Sequence, residues 1–204
     1  MKSYFKIFSI LGFVYFFYFV VQADVIWNLI KQEDNIRVYS NKHPNTFIET
    51  VKGEVIIDAP LDRVLEIFND ISNCPNWMYR CKNARTLKQI NLIERIDYIV
   101  INFPWPTWDR DIIIHSLFQQ DKNTNNVEVM FKSLSGKIAK KPNLVRVDDM
   151  SAIMRFIPQK DGSTHFSYEI SIDPRGKIPS WMINAMAADY PFYTLKNVRA
   201  LAEK

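Results

Sequence analysis

Residues 164–202 decide the fold, and they read THFSYEISI (164–172), DPRGKIP (173–179) and SWMINAMAADYPFYTLKNVRALA (180–202). The first segment alternates, with apolar side chains at every even position from Phe166 to Ile172, which predicts a strand with one buried face. Residues from Pro179 to Ala202 then predict one long helix, kinked at Pro191 and apolar nearly all round in its first half. A helix of that composition is covered by other elements. The stretch therefore predicts an antiparallel sheet packed against a carboxy-terminal helix.

The rest of the mature chain supplies the remaining strands. Hydrophobic alternation and turn signals predict strands over 36–40, 46–58, 84–90, 93–103, 111–119, 127–134 and 144–157. Helical spacing predicts a short amphipathic helix over 24–32 and another from Leu61 to Phe68, after Asp58-Ala59-Pro60. This order of elements is typical of one α+β domain, in which a curved antiparallel sheet wraps around the long carboxy-terminal helix.

Composition excludes several classes of protein. The 204 residues are 48% hydrophobic and 24% charged, which is ordinary for a globular domain and unlike disordered or collagen-like chains. The net charge of +4, without a basic run, gives no electrostatic case for nucleic-acid binding. Aromatic residues make up 14% of the chain, so they must fill a large core or line a large cavity. Composition alone leaves both interpretations open.

The amino terminus has the pattern of a signal peptide. Lys2 and Lys6 precede an apolar run over 7–21, and Val21-Gln22-Ala23 offers a cleavage site before Asp24. The run is shorter than the roughly 20 residues that span a bilayer. We therefore expect residues 1–23 to be a signal peptide and 24–204 the mature domain. The alternative is an uncleaved membrane anchor.

The two cysteines, Cys74 and Cys81, leave two interpretations open. An exported protein meets an oxidising compartment, which favours a disulfide between them, and Pro75 favours a turn there rather than a helix that would hold them too far apart. They are alternatively two buried thiols. No histidine stands near them, so we expect no metal site.

Several short motifs together resemble a known family. They are Phe103-Pro104-Trp105-Pro106, Asp109-Arg110-Asp111, Asp58-Ala59-Pro60 before the first long helix, Trp77 after it, and Asp173-Pro174 with Gly176, Ile178-Pro179, Trp181 and Asn184. In order and over the whole mature chain, these resemble the START (StAR-related lipid transfer) domain family of the helix-grip (Bet v 1-like, SRPBCC) superfamily. The likeness is greatest to single-domain exported bacterial members. It implies a helix-grip fold with an internal hydrophobic cavity for one lipid or similar apolar ligand, and no cofactor.

The resemblance and strand alternation together predict which residues line that cavity. If Arg110 points inward, alternate positions on its own and the facing strands do so too, and the closing helix covers them. The predicted lining is Arg110, Ile112, Ile114, Val129, Phe131, Met154, Phe156, Phe166, Tyr168, Trp181, Asn184 and Ala185. Ordinary core packing is the alternative for most of these side chains.

One departure from the family concerns the partner of Arg110. Family members often pair this arginine with an acidic side chain from the strand after the Trp turn, where this chain has Asn83. Asp97 or an anionic ligand headgroup is then expected to compensate the charge, because a buried unpaired guanidinium is costly. Asp111 is expected to point outward or to pair across strands.

These features predict a non-catalytic protein that binds, and transfers, a lipid or similar hydrophobic ligand. We expect a monomer with transient membrane contact and no nucleic-acid partner, in the periplasm or, in a host with one membrane, secreted. The first alternative is an aromatase/cyclase-type enzyme of the same superfamily. The second is a docking module that uses Trp105 and Trp108. No nucleophile elbow, phosphate loop or dinucleotide fingerprint supports an enzyme, and no catalytic residue is assigned.

Overall fold

The computed structural model describes residues 26–42, 49–136 and 138–204. The predicted signal peptide over 1–23 and its cleavage site lie outside these residues and stay predictions. Among the described residues, no helix combines the length and the apolar character that a membrane crossing requires.

One ten-stranded sheet dominates the described part of the chain. In space its strands run β1-β2-β3-β10-β9-β7-β6-β5-β4, with antiparallel neighbours throughout, and β8 pairs in parallel with β6. The strands are β1 (Asn28–Glu33), β2 (Ile36–Lys42), β3 (Glu49–Ile57), β4 (Cys81–Asn91), β5 (Glu94–Ile101), β6 (Asp109–Gln120), β7 (Val127–Ser133), β8 (Leu144–Val147), β9 (Met150–Pro158) and β10 (Thr164–Ile172).

The described helices lie at two places in the chain. Helix α1 (Leu61–Glu66), a 3₁₀ turn (Ile71–Asn73) and α2 (Cys74–Trp77) connect β3 to β4. Helix α3 (Ser180–Ala202) closes the chain and packs against the concave face of the sheet. The α+β fold class and the helix-grip architecture are therefore confirmed.

The predicted helix over 24–32 is wrong. Residues 28–33 form β1, the first strand of a hairpin with β2. Asp34 and Asn35 connect the two strands with φ angles of 50° and 59°, the left-handed pair that a tight type I′ hairpin turn requires. Asp and Asn tolerate that left-handed conformation, so this dipeptide indicates a hairpin turn. The helical spacing of the neighbouring apolar residues was the weaker signal.

The predicted strand over 144–157 is two strands. Asp148 and Asp149 separate β8 from β9, and β8 pairs with β6 in parallel, an exception to the expected antiparallel sheet. Two adjacent carboxylates inside an apolar run were the sign of this break.

A close contact sets how α3 lies on the sheet. A β-carbon added at Gly53 of β3 would lie 2.5 Å from Leu195 Cδ1 and 3.1 Å from Pro191 Cβ. Glycine therefore allows the helix to approach β3 at its proline. The buried residues of the helix are concentrated from there onward, at Pro191, Phe192, Thr194, Leu195, Val198 and Ala202, with Met182 before them.

Candidate functional site

A large cavity lies between the concave face of the sheet and α3. Its volume is about 1060 Å³, above the roughly 300–1,000 Å³ that is usual for small-molecule pockets. Aliphatic, aromatic and methionine side chains from β5, β6, β7, β9 and β10 form most of its wall. The first half of α3 closes it through Ile183, Asn184, Met186, Ala187 and Tyr190.

The structure places nine of the predicted residues on the cavity wall. They are Arg110, Ile112, Ile114, Val129, Phe131, Met154, Phe156, Tyr168 and Asn184. That any of them contacts a ligand stays a prediction. Strand parity located them because alternate residues of neighbouring strands share one face.

Three predicted lining residues lie off the cavity wall. Phe166 is fully buried, but its ring stacks on Phe156 with centroids 4.6 Å apart, so aromatic packing fills the space it faces. Trp181 is 67% exposed and Ala185 is also exposed. Helical periodicity explains both, since Ile183 and its neighbours one turn on face the cavity, whereas positions 181 and 185 share another face of α3.

Arg110 is satisfied by backbone carbonyls rather than by a carboxylate. The side chain is 2% exposed, its Nε donates to the Pro174 carbonyl at 3.0 Å, and one Nη donates to the Arg175 carbonyl at 2.8 Å. The other Nη donates to the carbonyl of Trp108, and the guanidinium carbon lies 4.0 Å from the centroid of the Phe103 ring. Burial lowers the pKa of Arg110, and the nearby carboxylate of Asp109 partly opposes that shift. The arginine thus ties the β5–β6 loop to the loop before α3.

The expected partners of Arg110 lie elsewhere. Asn83 is exposed on β4, and Asp97 is engaged by Arg95, whose Nε donates to its Oδ2 at 2.8 Å. Because backbone carbonyls already accept the hydrogen bonds of Arg110, its charge does not require an anionic headgroup. Backbone carbonyl dipoles can compensate the positive charge of a buried side chain. Such partners belong to the backbone and leave no acidic residue in the sequence.

Asp111 pairs across strands on the convex face, which is one of the two arrangements that the sequence predicted. Arg146 of β8 donates to both carboxylate oxygens at 2.9 Å, and the Tyr98 hydroxyl donates to the same carboxylate at 3.0 Å. Asp111 and Arg146 are almost completely buried, beneath a small second core that contains Tyr98 and Ile113. Burial, followed by the bond to Asp111, raises the pKa of Tyr98 to about 12. The pair fixes the wall of the cavity from behind.

A second polar group lies inside the cavity, toward the β4–β5 hairpin, where the sequence predicted no ligand-binding residue. Asp97 is 1% exposed and accepts from the Thr86 hydroxyl at 2.8 Å as well as from Arg95. Ser116 faces Arg95 in the β5–β6 register and is 5% exposed. Among the described residues its hydroxyl has no hydrogen-bond partner. This end of an otherwise apolar cavity can therefore receive a hydrogen-bonding group.

Two tyrosines add polarity below α3. Tyr168 of β10 and Tyr190 of α3 both lie on the cavity wall, with their ring centroids 6.4 Å apart. Burial raises the pKa of both phenols, so neither ionises near neutral pH. They can hydrogen-bond a ligand but are poor general bases.

The cysteines lie beside the cavity and form a disulfide. The bridge between Cys74 and Cys81 joins α2 to the start of β4, with a Cα–Cα separation of 5.9 Å. The short α2 contains Trp77 and is followed by Met78, both of which line the cavity. The bridge therefore fixes one corner of the cavity wall.

The cavity reaches the surface beside the start of α3, at an opening that we call the tryptophan portal. It lies between the β5–β6 loop (residues 102–108) and residues 173–184, several of which are both exposed and part of the cavity wall. Large apolar side chains are exposed on the two segments that flank it: Trp105 is 90% exposed, Trp181 67%, Trp108 57% and Ile183 40%. The loop is held by Asp109, which accepts from the Phe103 amide at 3.0 Å.

A curved antiparallel sheet that grips a long helix around an apolar cavity defines a helix-grip ligand-binding protein. A family model described as "START domain" matches residues 21–203, and this chain belongs to the START domain family. Membership of that family indicates binding of a lipid or similar hydrophobic ligand.

Individual proteins show the same likeness. The chain is 28% identical over 178 residues to the uncharacterized protein PA1579 of Pseudomonas aeruginosa, covering 87% of each chain. The crystal structure of the STAR-related lipid transfer protein (fragment 25–204) from Xanthomonas axonopodis has a TM-score of 0.79 at 25% identity, covering 87% of this chain and 99% of that one. The Zhui aromatase/cyclase from Streptomyces sp. R1128 shares the fold alone, with a TM-score of 0.54 at 14% identity over 76% of this chain and 94% of that one.

Proposed function

We propose that the protein binds one lipid-sized hydrophobic molecule in its cavity and carries it between lipid surfaces outside the cytoplasm. The observation that supports this most is an apolar cavity of about 1060 Å³, with exposed tryptophans on the segments that flank its opening. Burial of apolar surface contributes roughly 25 cal/mol per Å², so a cavity of this size stabilises a lipid outside a membrane. A match to lipid transfer proteins over most of the chain supports the same role.

The ligand has a long apolar body and one small hydrogen-bonding group. At the hairpin end of the cavity, the wall residue Ser116 has a buried hydroxyl with no hydrogen-bond partner among the described residues. Asp97 and Arg95 beside it compensate each other, so a neutral polar group suits this end better than a free charge.

The compartment and the membrane contact belong to the same proposal. A disulfide persists in oxidising compartments, which supports export. Tryptophan side chains favour the boundary between water and lipid, so the tryptophan portal is the surface through which ligand enters. The carrier is monomeric, and its membrane contact is transient.

Native mass spectrometry of protein recovered from the cell, with lipid extraction in parallel, tests this function. We expect one lipid per protein. Ala152→Phe should displace it, because Ala152 lines the cavity, whereas Ala185→Phe places the same ring on an exposed site and should leave the ligand bound. A wild-type protein that is folded and free of lipid would contradict the proposal.

The enzyme alternative has one observation in its favour. Asp97, Tyr168 and Tyr190 place acidic and phenolic groups inside the cavity, as a cyclase requires. Asp97 is however engaged by Thr86 and Arg95, and both phenols stay protonated, so the structure presents no free general base among these groups. An enzyme would release its product. Recovery of one chemically unchanged ligand per protein in the extraction therefore favours the carrier.

A further inference from the structure

The tip of the β4–β5 hairpin exposes three aliphatic side chains. Leu92 is 101% exposed, Ile93 50% and Ile90 42%. They lie within four consecutive residues, and between them Asn91 accepts the Ile93 amide with its side-chain oxygen at 2.9 Å. A cluster of this kind on a tight turn costs solubility, since it fills no part of the core.

The same tip belongs to the wall of the cavity. Leu92 and Ile93 line it together with Gln89 and Asn69, and Leu92, Gln89 and Asn69 are exposed to solvent. The cavity therefore reaches the surface a second time, between the hairpin and residues 67–70 that follow α1. We call this opening the hairpin portal.

One side chain spans the hairpin portal. Arg95 of β5 donates to the carbonyls of Phe68 at 3.2 Å and Asn69 at 3.3 Å, while its Nε stays on Asp97. These two long bonds connect the hairpin to the segment after α1. Opening the portal requires only that water replace Arg95 at two carbonyls.

The hairpin portal and the tryptophan portal lie at opposite ends of strand β5. The hairpin immediately precedes Glu94, where β5 begins, and the loop with Trp105 follows Ile101, where β5 ends. Eight residues of strand separate the two ends by roughly 25 Å, at about 3.3 Å per residue. The cavity is therefore a tunnel with an exposed apolar surface at each end.

We propose that the β4–β5 hairpin docks on an electrically neutral lipid surface and that the hairpin portal is a second route for ligand. This rests on the proposed carrier function. Leu92 and Ile93 belong to the cavity wall and are also exposed to solvent, so a ligand that leaves there meets apolar side chains between the cavity and the lipid surface. The surface on which the hairpin docks must therefore itself be apolar where the two meet.

Size and charge select a lipid surface over a protein. Three side chains on a turn present far less than the roughly 800 Å² per partner that a stable protein interface buries. Insertion of a few aliphatic residues between headgroups needs no such area. The exposed amide side chains of the cavity wall here are Gln89 and Asn69, with Asn91 beside them, and Glu94 is paired with His115 at 2.6 Å. This rim favours neutral over anionic headgroups.

Hydrogen exchange in the presence of phosphatidylcholine vesicles tests the proposal with protein recovered from the cell. We expect slower amide exchange in residues 88–95 when vesicles are added. Leu92→Asp should abolish that protection and lower partition to the vesicles at least about tenfold, the effect expected from losing one buried leucine. Ile56→Asp is the matched control, because Ile56 is 52% exposed on β3 and lies off the cavity. It should change neither measurement.

The outcomes separate this proposal from the proposed function. Unchanged exchange in residues 88–95, or Leu92→Asp protein that partitions as the wild type does, overturns docking at the hairpin even if co-purified lipid shows that the carrier function holds. Protection that requires phosphatidylglycerol overturns the neutral surface. Protection without vesicles that rises with protein concentration identifies a second copy as the occupant and also overturns it. Wild-type protein that holds no lipid overturns the proposed function instead.

Discussion

Replacing Ser116 by alanine should change stability and ligand affinity in opposite senses. Its hydroxyl is buried inside the cavity and has no partner among the described residues. In the ligand-free protein that hydroxyl has lost its bonds to bulk water, and an unpaired buried hydroxyl costs about 1–3 kcal/mol. In the loaded protein we expect it to bond the polar group of the ligand.

The magnitudes follow from these two states. Taking the lower end of that range, Ser116→Ala should stabilise the delipidated protein by about 1 kcal/mol, which is a rise in Tm of roughly 2–4 °C for a domain of this size. A neutral hydrogen bond contributes about 0.5–1.5 kcal/mol, so affinity for the co-purified lipid should fall roughly three- to tenfold. Thermal unfolding of delipidated protein and lipid titration measure the two effects on the same samples.

Ser163→Ala is the matched control. Ser163 is 6% exposed, but its hydroxyl donates to Asp161 at 2.7 Å and it lies off the cavity. That variant should lower Tm and leave lipid affinity unchanged. If Ser116→Ala lowers the Tm of the delipidated protein, its hydroxyl is bonded in the fold and the reasoning fails. If affinity does not change, the polar group of the ligand lies elsewhere.

Three further changes test how the cavity is built. Gly53→Ala should destabilise the protein by about 1–3 kcal/mol, measured by urea unfolding, because the added methyl would overlap Leu195; an unchanged midpoint would show that α3 shifts freely. Cys74→Ser should lower stability by about 2–3 kcal/mol through loss of the short loop closed with Cys81, whereas equal stability would mean the bridge does not form in the protein. Burial raises the pKa of Asp109, but hydrogen bonds from the β5–β6 loop and Lys82 outweigh it and lower that pKa below 3.8. The stabilisation of the loop is therefore present above about pH 4 and is lost as pH falls through the lowered pKa; tryptophan fluorescence should report this transition in the wild type, and its persistence in Asp109→Asn would refute the assignment.

Much of the fold could be predicted because burial leaves a periodic trace in the sequence. Strand β10 has the predicted bounds and α3 begins one residue after its predicted start, since an alternating strand and a long apolar helix both have clear periods. The hairpin of β1 and β2 was missed because β1 is an edge strand with mostly exposed residues, and such a strand leaves almost no hydrophobic trace. In this segment only the turn residues Asp34 and Asn35 indicated the hairpin.

The sequence predicted which face of each strand points into the cavity, but not which side chains on that face border the space for a ligand. Parity located the inward residues of β6, β7 and β9, but it does not tell whether an inward ring meets a ligand or another ring, as Phe166 shows. The polar end was not predicted as a unit, since Asp97 was expected only as a partner of Arg110. Only the register that places Arg95 opposite Ser116, and the carbonyls after α1, turn the charges of Arg95 and Asp97 inward.

The contacts that hold the two portals differ in kind from those that hold the walls. Each portal is spanned by one arginine that donates to backbone carbonyls, Arg110 at the tryptophan portal and Arg95 at the hairpin portal. Water can replace the partly exposed guanidinium of Arg95 at its carbonyls at little net cost, whereas the guanidinium of Arg110 is buried and must first become accessible to water. The walls are instead fixed by the Cys74–Cys81 disulfide and by the buried Asp111–Arg146 pair, for which no such replacement exists. If the proposed carrier function holds, we expect a ligand to pass at the ends of the cavity while the sheet that surrounds it stays unchanged.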